Sequence, residues 1–212
     1  NLFLQGRVKN EMQLPDSLKA VEGMDRSLGE VVGRVRGAIP LWGGGYAAHV
    51  LALQASGGIA SGPGAGPFQY RLGGASGQLE QLTGLELFGG GFLLFPVRGY
   101  PPGSRFGRLA WSATAEYRFP LWFINRGFRV WPLHADRMIG SLFFDAGNAW
   151  GPDLSASGFQ NALRDPLASL GAEITTEMLG LYRARVRLRV GVALPLTGGG
   201  DAVGYVRVGL PF

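Results

Sequence analysis

Apolar and polar residues alternate along much of this chain, in segments of about ten residues broken by clusters of Gly, Pro and Asp. The alternation is clearest from Tyr182 to Leu196. Arg183, Arg185, Arg187 and Arg189 share one face there, while Ala184, Val186, Leu188, Val190, Val192 and Leu194 share the other. Successive side chains of a strand point to opposite sides, so this pattern predicts a strand with one charged and one wholly apolar face. Arg108 to Phe119 repeats it, with Ser112, Thr114, Glu116 and Arg118 opposing Trp111, Ala113, Ala115 and Tyr117. Leu167 to Met178 and Ile139 to Gly147 do the same, the latter setting Ser141, Asp145 and Gly147 against Leu142, Phe144 and Ala146. Further strands are expected at Arg7 to Leu14, Glu30 to Leu41, Tyr46 to Ser56 and Val203 to Phe212, about eight in all.

An apolar strand face needs either a core or lipid. Several strands end in pairs that suit a bilayer edge: Pro40-Leu41-Trp42, Pro120-Leu121-Trp122, Pro195-Leu196 and Pro211-Phe212. Aromatic rings favour that interface, and Pro at a strand end forfeits no ladder hydrogen bond. The soluble alternative is a β-sandwich; four arginines on one strand face and a terminal Phe speak against it. No run of about 18 apolar residues is present, so the only spanning architecture left is a closed barrel. The expectation is therefore an all-β, antiparallel transmembrane β-barrel, with residues 1–212 as one region. No charged-then-apolar leader opens the chain at Asn1, so a leader and further sequence are expected upstream.

Composition refines this picture. Glycine is abundant at 36 residues and charged residues are few at 17%, but 46% hydrophobic content argues against disorder. Cysteine is absent, which excludes disulfides and thiolate chemistry. The net charge of +5 allows a basic pore, a membrane surface or nucleic acid. Nucleic acid is disfavoured because no aromatics interleave with the arginines on their face. His49 and His134 are isolated, no Ser-His-Asp or metal spacing occurs, and the Gly43, Gly89 and Gly198 runs lack a Walker lysine. Neither an enzyme nor a metal or cofactor is expected.

One glycine-rich stretch, at about 57–107, separates two strands and carries Phe95-Pro96-Val97-Arg98-Gly99-Tyr100; Gln78 to Leu87 within it could hold a short helix. Loops this long are usually functional. Taken alone, Arg98 could be a solvated loop residue and Asp145 could cap a turn at Gly147-Asn148. Arg183, Arg185, Arg187 and Arg189 could line an aqueous pore that attracts unfolded polypeptide. They could equally balance Glu173 and Glu177 on the preceding strand, the reading favoured for part of the ladder.

Four pieces in order carry a resemblance: Val97-Arg98-Gly99-Tyr100, Ala115-Glu116-Tyr117-Arg118-Phe119-Pro120, Phe143-Phe144-Asp145-Ala146-Gly147-Asn148-Ala149-Trp150 and the closing Phe212. Together they resemble the C-terminal barrel region of the bacterial surface antigen superfamily, which includes outer-membrane protein assembly factors and two-partner secretion transporters. The resemblance runs from about Ser27 onward and is strongest from Phe95 to Trp150. It implies that the long loop folds into the pore and that Arg98 reaches Asp145 and Glu116, with Gly99 permitting close approach and Tyr100 beside it. The alternation independently puts Glu116 and Asp145 on the polar face. A guanidinium fork suits one or two carboxylates.

The resemblance also implies the outer membrane of a Gram-negative-type bacterium and a client polypeptide. Phe212 would be a sorting signal, and Val203 to Phe212 a seam strand loosened by Gly204 and Gly209. An eight-stranded lumen is just filled by its own side chains, too little for a fifty-residue loop. This chain is therefore expected to be the C-terminal half of a sixteen-stranded barrel, completed by upstream sequence or a second chain. No POTRA-type domain is visible, a departure from the assembly factors. Two alternatives follow: an outer-membrane anchor without transport, and a subunit of a larger envelope complex.

Overall fold

The computed structural model of the chain describes residues 2–9, 28–61, 70–74, 94–127, 133–151, 163–180 and 184–209. These form β1 (Leu2–Lys9), β2 (Leu28–Trp42), β3 (His49–Ser61), β4 (Tyr70–Leu72), β5 (Leu94–Phe95), β6 (Arg105–Gly107), β7 (Leu109–Gly127), β8 (Leu133–Trp150), β9 (Leu167–Gly180), β10 (Ala184–Pro195) and β11 (Val203–Gly209). Eight of them make one antiparallel sheet in the order β1-β2-β3-β7-β8-β9-β10-β11. Among the described residues β1 and β11 pair on one side only. The chain is all-β and antiparallel as expected, and among the described residues its main sheet is open.

The register turns the sequence alternation into two continuous faces. Leu53, Ala115, Phe144, Leu170 and Leu194 lie opposite one another across five strands. Their neighbours on this face, among them Val35, Ile39, Leu142, Ile174, Val190, Val192, Val206 and Val208, are exposed. Among the described residues this face packs against nothing, so they present a broad apolar surface, far more than the scattered exposed hydrophobics of a soluble domain. At the short-turn end, Trp42, His49, Tyr117 and Phe119 form a ring cluster with centroids 5.0 to 6.0 Å apart.

The opposite face is polar and carries the small sheet β5-β4-β6, in which β4 runs parallel to β5 and antiparallel to β6. Tyr70 and Leu72 of β4 pack with Phe95, Val97, Ala60, Ala110, Ala149 and Leu167 into the one buried apolar cluster of the described residues. Tyr70 meets Phe95 edge to face at 5.2 Å, a favoured aromatic geometry. The wall beneath is small-residued because large side chains would collide. A Cβ on Gly147 would come within 3.0 Å of Leu72 and Val97, and one on Gly58 would stand 2.9 Å from both the Phe95 and Tyr70 rings.

Two boundaries differ markedly from the sequence reading, and one expected element is not among the described residues. Gly57 and Gly58 look like a loop start but continue β3 to Ser61, opposite Trp111 and Ala110; Gly58 is there to make room for the two rings. The strand expected at Arg7–Leu14 is β1 at Leu2–Lys9, with residues 10–14 outside the described ones. The helix expected at Gln78–Leu87 also lies outside them.

Enlarging Gly58 tests this packing. Gly58→Leu should keep the strand content but displace β4 and β5, an overpacking penalty of about 1–3 kcal/mol. Circular dichroism should stay unchanged while protease cleavage within 94–107 accelerates; unchanged cleavage would contradict the fit.

Candidate functional site

The alternation of β8 aims Ser141, Phe143, Asp145 and Gly147 at the polar face and leaves Leu142 and Phe144 on the apolar one. Onto this row comes the segment after β5. Gly74 bridges to Val97 and donates its N–H to the Tyr100 carbonyl at 2.7 Å, which holds the turn at Arg98-Gly99 against β4. Gly99 has φ +90, and a Cβ there would stand 3.2 Å from that of Ala193 on β10. Both the backbone sign and the close approach require glycine.

Arg98 is 5% exposed and Asp145 1%. The Asp145 carboxylate accepts three hydrogen bonds from this one residue. Arg98 Nε donates to Oδ2 at 2.6 Å, Nη2 to Oδ1 at 2.8 Å, and the Arg98 backbone N–H to Oδ2 at 3.1 Å. The fork is thus bidentate, the strongest arrangement for this pair. Arg98 Nη1 lies 3.6 Å from Glu116 Oε2 and 3.8 Å from Glu173 Oε2. Its guanidinium carbon sits 3.4 Å from the Phe143 ring centroid, a cation–π contact. Space for that ring comes from Gly171, where a Cβ would be 2.5 Å from Phe143 Cζ. Burial alone would lower the Arg98 pKa. Hydrogen bonding to Asp145, then the charges of Asp145 and Glu116, outweigh it and raise the pKa above its ordinary value.

Two further contacts fasten the segment. The Tyr100 hydroxyl lies 2.7 Å from the Thr197 carbonyl and 2.8 Å from that of Ala168, either of which can accept its proton, and it accepts the Thr197 N–H at 3.2 Å. Arg105 Nη1 donates to Asn148 Oδ1 at 2.6 Å, and Asn148 Nδ2 donates to the Arg164 carbonyl at 3.0 Å. The segment is therefore tied to β8 and to the connections that lead into β9 and out of β10.

The structure brings Arg98, Glu116 and Asp145 together and puts Gly99 and Tyr100 at the turn beside them. Arg187 and Arg189 share the polar face of β10. Arg187 Nη2 donates to Glu177 Oε1 at 2.8 Å, and Arg189 Nη1 lies 3.5 Å from Glu173. Arg137 also meets Glu177, at 2.7 Å. These two ladder arginines thus balance carboxylates on β9, rather than standing free. Arg185 lies opposite Leu179 in the ladder, and Arg183 is outside the described residues. Gly204 and Gly209 pair with Val192 and Arg187 in β11, and Phe212 is outside the described residues.

Several members of the site are not evident from the sequence motifs. Glu173 sits beside Arg98, and Arg207 and Tyr205 of β11 both donate to its Oε2, Tyr205 at 3.0 Å. The available signal was the period-two placement of Glu173, Tyr205 and Arg207 and the glycine at 191 between them.

An Omp85 superfamily domain matches residues 88–198, from before β5 to just past β10. The chain belongs to the Omp85 superfamily. No curated protein and no solved structure matches it. Members of this superfamily are outer-membrane proteins of Gram-negative bacteria, a family associated with protein assembly and translocation. The Omp85 match includes Arg98, Glu116, Asp145, Glu173 and the ladder arginines Arg185, Arg187 and Arg189, and it is the superfamily that the Val97-Arg98-Gly99-Tyr100 and Phe143-Phe144-Asp145-Ala146-Gly147 segments resemble.

Removing one partner of a buried charge pair strands the other, a penalty of about 3–5 kcal/mol. Asp145→Asn should therefore expose 94–107 to trypsin in the lipid-embedded protein. Arg98→Lys, which keeps the charge but loses the fork, should give an intermediate rate. Protection equal to wild type in both variants would show that the pair does not hold the segment.

Proposed function

We propose that this chain is part of an outer-membrane β-barrel that inserts or exports polypeptides, with the segment around Arg98 acting as a latched plug in its lumen. The observation that carries the reading is the bidentate Arg98–Asp145 pair, buried on the polar face of a sheet whose opposite face is bare and apolar. The Omp85 match supports it. A lipid-facing sheet cannot leave its edge N–H and C=O groups unpaired. The edges that β1 and β11 leave unpaired among the described residues thus call for further strands. Space points the same way: a barrel of eight strands is filled by its own side chains, and here the polar face already carries β4, β5 and β6. The favoured assembly is one half of a sixteen-stranded barrel, the rest coming from upstream sequence or from another chain. The open edges also suit a subunit of a larger envelope complex.

Polypeptide handling would proceed without cofactor or bond chemistry. A client strand can add to an exposed sheet edge through main-chain hydrogen bonds, and β11 offers such an edge. Gly204 has open space where its Cβ would be, and glycines at 204 and 209 weaken a strand that must pair. Charged groups on the polar face would keep the lumen wet, and a plug tied by polar contacts can leave into water.

The intact protein in liposomes should accelerate folding of an added unfolded barrel client, read as the heat-modifiable band on a gel. Gly209→Val should slow that insertion; an unchanged rate would remove β11 from the mechanism. No acceleration by the wild-type protein would leave the anchoring role. Phe212 carries a separate expectation as a sorting signal. Its deletion should lower outer-membrane yield more than it lowers the stability of folded protein, whereas equal losses would make it an ordinary packing residue.

A further inference from the structure

Three guanidinium groups and a phenol converge on one buried carboxylate. Glu173 is 2% exposed, and its partners come from three parts of the fold. Arg98 arrives from the segment after β5, Arg189 from β10, and Tyr205 with Arg207 from the edge strand β11. The register explains the reach of Tyr205. Glu173 lies opposite Gly191, and Gly191 opposite Tyr205. A Cβ at 191 would be 2.7 Å from the Tyr205 ring and hydroxyl, so only glycine lets the phenol cross β10 to β9.

The partners do not divide the carboxylate evenly. Arg98 Nη1, Arg207 Nη2 and the Tyr205 hydroxyl all address Oε2, while Arg189 and the Thr175 hydroxyl lie nearest Oε1. Arg207 hydrogen-bonds Oε2 and Arg98 forms a looser ion pair with it at 3.8 Å, so two like charges face one oxygen in a site shielded from water, where such terms are strong. Each one's hold on Glu173 weakens the other's.

We propose that Glu173 is a positioning residue that couples the docking of Arg98 to the hold on edge strand β11, through competition for one carboxylate oxygen. With Arg98 docked, β11 is held less firmly; with Arg98 withdrawn, Glu173 turns wholly to Arg207, Arg189 and Tyr205, and β11 tightens. Such coupling is reciprocal by linkage. It rests on the reading of the Arg98 segment as a plug and of β11 as a seam.

The sign of the response separates coupling from mere support. Hydrogen exchange of the β11 amides would be followed in the intact protein in lipid nanodiscs. Arg98→Met frees Glu173 for β11, so exchange there should slow about fivefold, the lower end of typical coupling. Asp145→Asn removes the main partner of Arg98 and releases its segment, withdrawing the guanidinium from Glu173, so β11 exchange should slow here too. A supporting role would speed exchange in both variants, and that result, or no change in either, overturns the proposal. Tyr205→Phe, a mild change, decides the matter if a charge variant does not assemble. It leaves more of Glu173 to Arg98, so amides of 94–107 should slow; unchanged or faster exchange overturns the coupling. No client enters this measurement. Lost coupling with client insertion intact would therefore refute only this inference, and the reverse result only the proposed function.

Discussion

A guanidinium leaves water only where carboxylates and a ring replace its hydration, and around Arg98 that requirement organises the polar half of the molecule. Asp145 must stand at the right place on β8 to receive a fork, and Phe143 must lie flat beside it. Phe143 in turn needs a glycine at 171, and Gly99 must turn with positive φ to bring Arg98 down. Glu116 and Glu173 then share the charge from neighbouring strands. Asp145, Phe143, Gly171, Glu116 and Glu173 each sit where period two places them on a polar face. The apolar face is the other half of the same alternation, so the arrangement that receives Arg98 also produces a surface suited to lipid.

The small residues of the wall belong to this constraint. Gly58, Ala60, Ala110, Gly147 and Ala149 let β4 and β5 settle onto the sheet, burying Tyr70, Leu72, Phe95 and Val97. The apolar cluster supplies burial without direction. Direction comes from the fork on Asp145, from the Tyr100 hydroxyl at Ala168 and Thr197, and from Arg105 on Asn148. Buried charge pairs are weak evidence of net stability, since similar volumes of hydrophobic side chain often do as well. Their contribution here is orientation: a two-pronged donor accepts only one approach to a carboxylate.

The faces of β7, β8, β9 and β10 were legible in the sequence because alternation over ten or more residues leaves little freedom in which side points where. Arg98 and Asp145 were legible as a pair through resemblance, not through spacing, since 47 residues separate them. Glycine misled at positions 57 and 58, where it reads as a turn but continues β3, Gly58 serving as clearance for two rings. β4, β5 and β6 are two or three residues long, too short for any periodicity to register. Glu173 was visible only as a partner for the ladder. Its meeting with Arg207 and Tyr205 depends on the register of β9, β10 and β11, and a shift of one residue would send all three to the other face.

The two kinds of contact also differ in what it takes to undo them. Exposing the apolar back of the sheet to water costs roughly 25 cal/mol for every Å² and has no compensation. Releasing Arg98 exchanges carboxylate and ring contacts for water, which solvates a guanidinium well, and the carboxylates left behind can draw on Arg118, Arg189 and Arg207 already beside them. The wall is therefore built so that vacating it does not leave every acid unpaired. On the proposed reading, a sheet fixed by lipid on one side and by exchangeable ion pairs on the other lets its inner occupant go without loosening its hold on the membrane.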